Sequence, residues 1–152
     1  MSKWGVLFSS SVMLFLAVSV SGQCVNLTNE TSYAFKINNI SGVFYINQDI
    51  ILCGQTYNFD GSYNDGVLRF NNSNIFLDCN NSLINGSGMS DSYGIYLPSG
   101  MENNTIVDCG VMSYSSGIEV NGSCNTILNS TLKNNSYGIH LDSGCNNTFR
   151  NV

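Results

Sequence analysis

Residues 104–151 read NTIVDCGVMSYSSGIEVNGSCNTILNSTLKNNSYGIHLDSGCNNTFRN, and the stretch repeats itself. Asn104-Thr105-Ile106-Val107-Asp108 leads to Ser116-Gly117-Ile118-Glu119-Val120. Asn125-Thr126-Ile127-Leu128-Asn129 then leads to Tyr137-Gly138-Ile139-His140-Leu141, and Asn147-Thr148-Phe149-Arg150-Asn151 opens a third copy. The step from Thr105 to Thr126 is 21 residues, and from Thr126 to Thr148 it is 22. A looser earlier copy runs from Asn74-Ile75-Phe76-Leu77-Asp78 to Tyr93-Gly94-Ile95-Tyr96-Leu97. Aligned on these copies, Gly94, Gly117 and Gly138 fall in one column, and Ile95, Ile118 and Ile139 in the next. The glycine column is expected to mark tight bends or positive φ.

Within each copy the apolar residues alternate, as Ile118 with Val120 and Ile139 with Leu141 do, and period two means strand. The strands are three to five residues long and lie between Asn/Ser/Gly turns. A repeat near 22 residues with short strands and no helical periodicity fits stacked coils, each strand pairing with its counterpart about 4.8 Å away in the next coil. Ile106, Ile127 and Phe149 would then rest on one another inside the stack, which buries what one coil alone cannot. Asp78, Asp108, Asn129 and Asn151 follow at one turn and are expected to form a polar ladder. The chain is thus expected to be all-β, a right-handed parallel β-helix of about four short coils. Residues 23–58 would form a cap with lead-in strands, and 59–152 the repeats, cut short at the C-terminus.

Composition agrees with a packed chain that is poor in charge. Only 10% of the 152 residues are charged, while 43% are hydrophobic, too apolar for a disordered polar tract. Asn alone occurs 23 times. The formal charge is −5, and Lys36, Arg69, Lys133 and Arg150 stand singly, so no patch is available for nucleic acid or an anionic membrane surface.

Residues 1–22 read as a secretory signal peptide, helical in its apolar part, with Lys3 in the n-region, Val12–Val20 as the h-region, and Val20 and Gly22 as the small residues before cleavage. The competing readings are a retained membrane anchor, for which the apolar run is short, and a lipoprotein acylated at Cys24, for which Gln23 is the wrong preceding residue. No membrane association beyond the signal peptide is expected. Export makes disulfides the natural use of an even set of six cysteines. No CxxC occurs and His140 is the only histidine, so neither a metal site nor a cofactor is expected. Three dispersed methionines, Met89, Met101 and Met112, do not converge as a soft-metal site requires.

At Asn125-Thr126-Ile127, Asn129, Gly138-Ile139-His140-Leu141-Asp142-Ser143 and Asn147 the chain resembles the parallel β-helix repeat proteins, specifically the NosD-like branch of the pectate-lyase-like superfamily. Gly42–Ile50 resembles the strand that leads into such helices, and Asn74–Gly86 resembles a first full coil. The resemblance covers about residues 40–152. It implies extracellular, cell-surface or periplasmic residence. It leaves structural surface proteins, carbohydrate-handling proteins and a copper-related periplasmic factor open.

The repeat register suggests pairings. Cys79 and Cys109 each follow an Asp (Asp78, Asp108), and Cys124 and Cys145 each lie seven residues beyond the Gly column. Each pair would occupy one column in adjacent coils, within disulfide reach. Cys24 and Cys53 would tie down the cap. Eleven N-x-S/T sequons occur. Those at Asn26, Asn29, Asn39, Asn71, Asn80, Asn85, Asn103, Asn121, Asn134 and Asn146 are glycosylation candidates, and the one at Asn129 is set aside as a ladder residue.

For catalysis, Asp78 and Asp108 are the one stacked carboxylate pair that a polysaccharide lyase or glycoside hydrolase would use as acid and base. Their column is completed by Asn129 and Asn151, which favours a ladder, and no Asp cluster with Arg or Lys occurs. His140, flanked by Ile139 and Leu141, is expected to project outward. The leading expectation is a secreted or cell-surface structural or adhesion protein, more a binder than an enzyme. Its partners would be surface glycans or other cell-envelope β-helix chains. Tyr93, Tyr96, Tyr114 and Tyr137 are the candidate sugar-binding aromatics.

Overall fold

The computed structural model describes residues 24–27, 43–59 and 65–152, and the backbone of 38–40. The leader expected at 1–22 and the sequon at Asn29 lie outside the described residues, as does the side chain of Asn39.

The described chain is a parallel β-solenoid of about four turns. Strands β1 (Asn38–Ile40), β2 (Val43–Ile46), β3 (Ile50–Ile51) and β4 (Thr56–Asn58) come first. They are followed by β5 (Leu68–Phe70), β6 (Phe76–Asp78), β7 (Leu83–Asn85), β8 (Tyr93–Leu97), β9 (Thr105–Val107) and β10 (Gly110–Met112). The last are β11 (Ser116–Val120), β12 (Thr126–Leu128), β13 (Thr131–Lys133), β14 (Tyr137–Leu141) and β15 (Thr148–Arg150). The first sheet has the order β1-β2-β5-β8-β11-β14, the second β3-β6-β9-β12-β15, and the third β4-β7-β10-β13. Every pairing is parallel except β1 with β2. One coil therefore takes one strand from each sheet, and β2–β3–β4 is already the first. Val43–Asn58, expected as a lead-in, is a full coil of the stack.

Like rests on like. Ile95, Ile118 and Ile139 are in register, as are Leu97, Val120 and Leu141. Leu77, Ile106, Ile127 and Phe149 form a second inward column, and Tyr57, Ile84, Val111 and Leu132 a third. Ile95, Ile106, Ile118 and Ile127 are fully buried, and burying one such side chain contributes roughly 1.5–3 kcal/mol. At the C-terminal end β13, β14 and β15 each have a partner on one side. There Ile139, Leu141, Phe149 and Val152 line an apolar opening of about 480 Å³.

The abundance of Asn follows from the corners. Eight of the twelve described non-glycine residues at positive φ are Asn, among them Asn80, Asn103, Asn129, Asn134 and Asn146, and Asn tolerates left-handed backbone better than most residues. A second set of asparagines ties coil to coil. The Oδ1 atoms of Asn104, Asn125 and Asn147 accept from the backbone N–H of Ile75, Asn104 and Asn125 in the preceding coil, each at 2.9 Å. The Nδ2 groups of Asn125 and Asn147 donate to the Met101 and Gly122 carbonyls.

Three expectations need correction. The glycine column is not one of positive φ; at Gly94 and Gly117 it marks close approach, since a Cβ on Gly94 would sit 2.3 Å from Val111 Cγ1 and 2.8 Å from the Gly117 oxygen, and one on Gly117 would sit 2.7 Å from the Gly138 oxygen. The polar ladder holds for Asn129 and Asn151, whose side chains bond at 3.0 Å, and Asp108 shares their left-handed corner. Asp78 is out of step: it pairs with Val107, and its carboxylate accepts from Asn80 N–H in its own turn. The strand pairing sets this, since Leu77, not Phe76, lies opposite Ile106, and the longer Asn80-Asn81 corner then takes up the difference between the Leu77–Ile106 and Leu83–Gly110 pairings.

The disulfides are Cys24–Cys53 and Cys79–Cys109, with Cα atoms 4.6 and 4.8 Å apart. Cys124 and Cys145 are instead free and exposed. Val120 still pairs with Leu141, but Ser143 Oγ donates to the Asn121 carbonyl, so one extra residue has entered the turn at Asp142. Cys145 consequently lands over Ser123, whose Oγ lies 3.1 Å from the Cys145 nitrogen, and Cys124, in left-handed conformation, donates its N–H to the Cys145 carbonyl.

Candidate functional site: the outer face of the first sheet

Alternation that sends Ile95, Ile118 and Ile139 inward sends the residue after each of them outward. The register then builds one column from five coils: Tyr45, Arg69, Tyr96, Glu119 and His140. Beside it runs a shorter column of Tyr93, Ser116 and Tyr137. Five-residue strands β8, β11 and β14 are what make room for both.

The N-terminal half of this face is neutralised. The Arg69 guanidinium lies 5.9 Å from the Tyr45 ring centroid and 5.1 Å from that of Tyr96. Such cation–π contacts contribute about 0.5–1 kcal/mol each at exposed sites, and Asp65 pairs with the same guanidinium.

The C-terminal half is aromatic and acidic. The rings of Tyr93 and Tyr96 lie 5.5 Å apart, and those of Tyr137 and His140 5.1 Å apart. Between the two tyrosines of the short column stands only Ser116, itself buried. Glu119 is buried although it belongs to the outer face. Its two carboxylate oxygens lie 2.9 and 3.0 Å from His140 Nδ1, which donates, since a carboxylate only accepts. Burial, foremost, and then the charge of Glu119, the neighbouring Tyr96, and the charges of Asp91 and Asp142 hold the Tyr93 phenol above the usual tyrosine range. Asn121 donates from Nδ2 to the Tyr96 hydroxyl at 3.4 Å, while its buried Oδ1 has no donor.

Of the aromatics expected here, the register gathers Tyr93, Tyr96 and Tyr137 on one face. Tyr114 is corrected: it is buried, and its hydroxyl donates to the Phe59 carbonyl at 3.1 Å, so it belongs to the core. Tyr45, Arg69 and Glu119 were not singled out by the sequence for this face, and Asn121 was named only as a sequon. Glu119 could have been found from the aligned copies, where it shares a column with Tyr96 and with His140, which was expected to project outward. Arg69 lies in a coil with no recognisable copy motif.

Two other places were candidates for chemistry. Because Asp78 is out of step with Asp108, the candidate acid–base pair, already disfavoured by the sequence, does not share a column. The groove of about 220 Å³ over Asn81, Asp108, Asn129 and Thr131 has Asp108 as its one lining carboxylate. Among the described residues no group of three or more His, Cys, Asp or Glu side chains converges as a metal site would.

Of the sequon asparagines, Asn26, Asn71, Asn80, Asn103, Asn129, Asn134 and Asn146 are exposed. Asn71 donates to Asn47 Oδ1, Asn80 to the Leu52 carbonyl, and Asn85 to Asn58 Oδ1. Asn129 lies outward on its ladder, not inward. Asn134 and Asn146 stand at left-handed corners.

No protein-family profile, curated protein sequence or solved structure matches this chain.

Proposed function

We propose that this chain is an exported, cell-surface β-solenoid that binds carbohydrate across the outer face of its first sheet. The observation that carries the reading is the stacking of Tyr93, Tyr96 and Tyr137 with Glu119 and His140 on one rigid face. Sugar rings present apolar faces to aromatic side chains and hydroxyls to polar ones, and this face offers both. Tyr93 to Tyr137 spans two strand spacings, roughly 9.6 Å, the length scale of a disaccharide. Two disulfides support residence outside the cytosol, and the leader-like residues 1–22 point the same way.

We also propose kinship with the NosD-like β-helix repeats, supported by the motif at Asn125–Asn147 and by the parallel coils it forms. In a host that attaches N-glycans, Asn134 and Asn146 are the favoured acceptors, and Asn121, engaged with Tyr96, is not. Intact-mass measurement before and after deglycosylation tests this.

A glycan array with the full chain tests the main reading. Binding to a defined set of oligosaccharides, lost at least tenfold in Tyr93→Ala and Tyr137→Ala with an unchanged melting temperature, is the expected result. An array without hits, or binding that survives both substitutions, would contradict it.

A further inference from the structure

The carbohydrate reading leaves open which class of glycan the face selects, and its charge distribution bears on that choice. The described cationic side chains are Arg69, Lys133 and Arg150. Arg69 is sandwiched by two rings and paired with Asp65. Lys133 belongs to β13 in the third sheet and Arg150 to β15 in the second. The C-terminal half of the first sheet's outer face therefore carries His140 as its one described base, against the carboxylates of Glu119, Asp91 and Asp142.

Those carboxylates act on the aromatic wall itself. Glu119 is 3% exposed, where a charge is screened by water less than one at the surface. Asp91 and Asp142 are exposed and stand just before β8 and just after β14, the outer strands of this half of the face. An anionic sugar laid between Tyr93 and Tyr137 would meet like charge. A cationic one would meet opposite charge and the negative faces of the rings together.

Building on the proposed carbohydrate binding, we infer that the glycan taken by this face carries free, protonated amino groups: an oligomer of hexosamine units that are not N-acetylated. The aromatic pair spaced by two coils supplies the stacking for the sugar, and the carboxylates select the ammonium. A flexible lysine-rich peptide offers the charge without a ring face to stack.

The test measures affinities of the full chain for a glucosamine oligomer, its fully N-acetylated counterpart, an oligogalacturonate and an oligolysine of equal charge. The glucosamine oligomer should bind at least tenfold tighter than each of the other three, and added salt should narrow the margin. Glu119→Gln should remove most of the preference. Because Glu119 is buried, the exposed double variant Asp91→Asn/Asp142→Asn provides an independent reading and should reduce the preference several-fold while the chain still melts as a folded protein. Equal or tighter binding of the acetylated or uronic oligomer would overturn the inference and leave the carbohydrate reading standing. Equal binding of oligolysine would overturn the commitment to a sugar. No binding to any of the glycans would sink the carbohydrate reading itself.

Discussion

Gly94 has no room for a side chain, and the repeat depends on that. A methyl group there would press into Val111 and the Gly117 backbone, so Gly94→Ala should destabilise by about 1–3 kcal/mol in urea unfolding. Gly138, in the last coil, offers a control, because its Cβ would meet Leu132 at 3.6–3.7 Å, an ordinary contact. Gly138→Ala should be close to neutral. Two phenols make the stability depend on alkali. Burial holds Tyr57 above 10.0, and burial with nearby carboxylates does the same to Tyr93. The unfolded chain loses these protons near pH 10 while the native chain keeps them. Their contribution is therefore fully present below about pH 10 and is lost as pH rises through the higher native values. Ultraviolet titration should show the phenolates of Tyr57 and Tyr93, identified by Tyr→Phe variants, appearing at higher pH in the native protein than in urea; coincident titrations would refute it. Cys124 and Cys145, exposed thiols, should be the two cysteines alkylated in the native, unreduced chain, as peptide mapping would reveal.

The strands differ in how much each coil depends on them. Ile118 has coils on both sides and is fully buried, whereas Ile139 is only partly so. Ile118→Ala should cost about 2–5 kcal/mol, and Ile139→Ala clearly less; equal costs in urea unfolding would mean that the stack extends differently. Cys79–Cys109 closes a separation of 30 residues, and removing it should cost about 2–4 kcal/mol. At this scale the sequence was legible where copies were regular. Ile106, Ile127 and Phe149, and likewise Ile95, Ile118 and Ile139, fall where the steps of 21 to 23 residues place them. It was illegible where a corner gained a residue. Asp78 falls one residue short of the ladder ahead of the longer Asn80-Asn81 corner, and the residue added at Asp142 moved Cys145 over Ser123. A corner insertion leaves the inward alternation intact, so hydrophobic pattern alone cannot report it.

Across the described coils, the N-terminal ones are longer than the C-terminal ones, with partners 24–29 residues apart before β8 and β9 and 21–23 apart in the first two sheets after them, and this hid both the first coil and the site. Leu68 pairs with Ile95 across 27 residues, Ile118 with Ile139 across 21. Short coils look alike in sequence; longer ones, such as β2–β3–β4, share the geometry without the motif. The face proposed to bind sugar crosses from one regime to the other, so its Tyr93–Tyr137 part was visible in the aligned copies and its Tyr45–Arg69 part was not. The binding face, the asparagine ties and the two disulfides all presuppose one arrangement, in which each strand lies parallel to and in register with the strand one coil later. The most direct test is a nuclear Overhauser map of the isotope-labelled chain in solution. The account predicts amide-to-α contacts linking Glu119 to the strands of both Tyr96 and His140, without close α-to-α contacts between them. Close α-to-α contacts across β8, β11 and β14, as in an antiparallel sheet, or a missing link between Ile118 and Ile139, would contradict it.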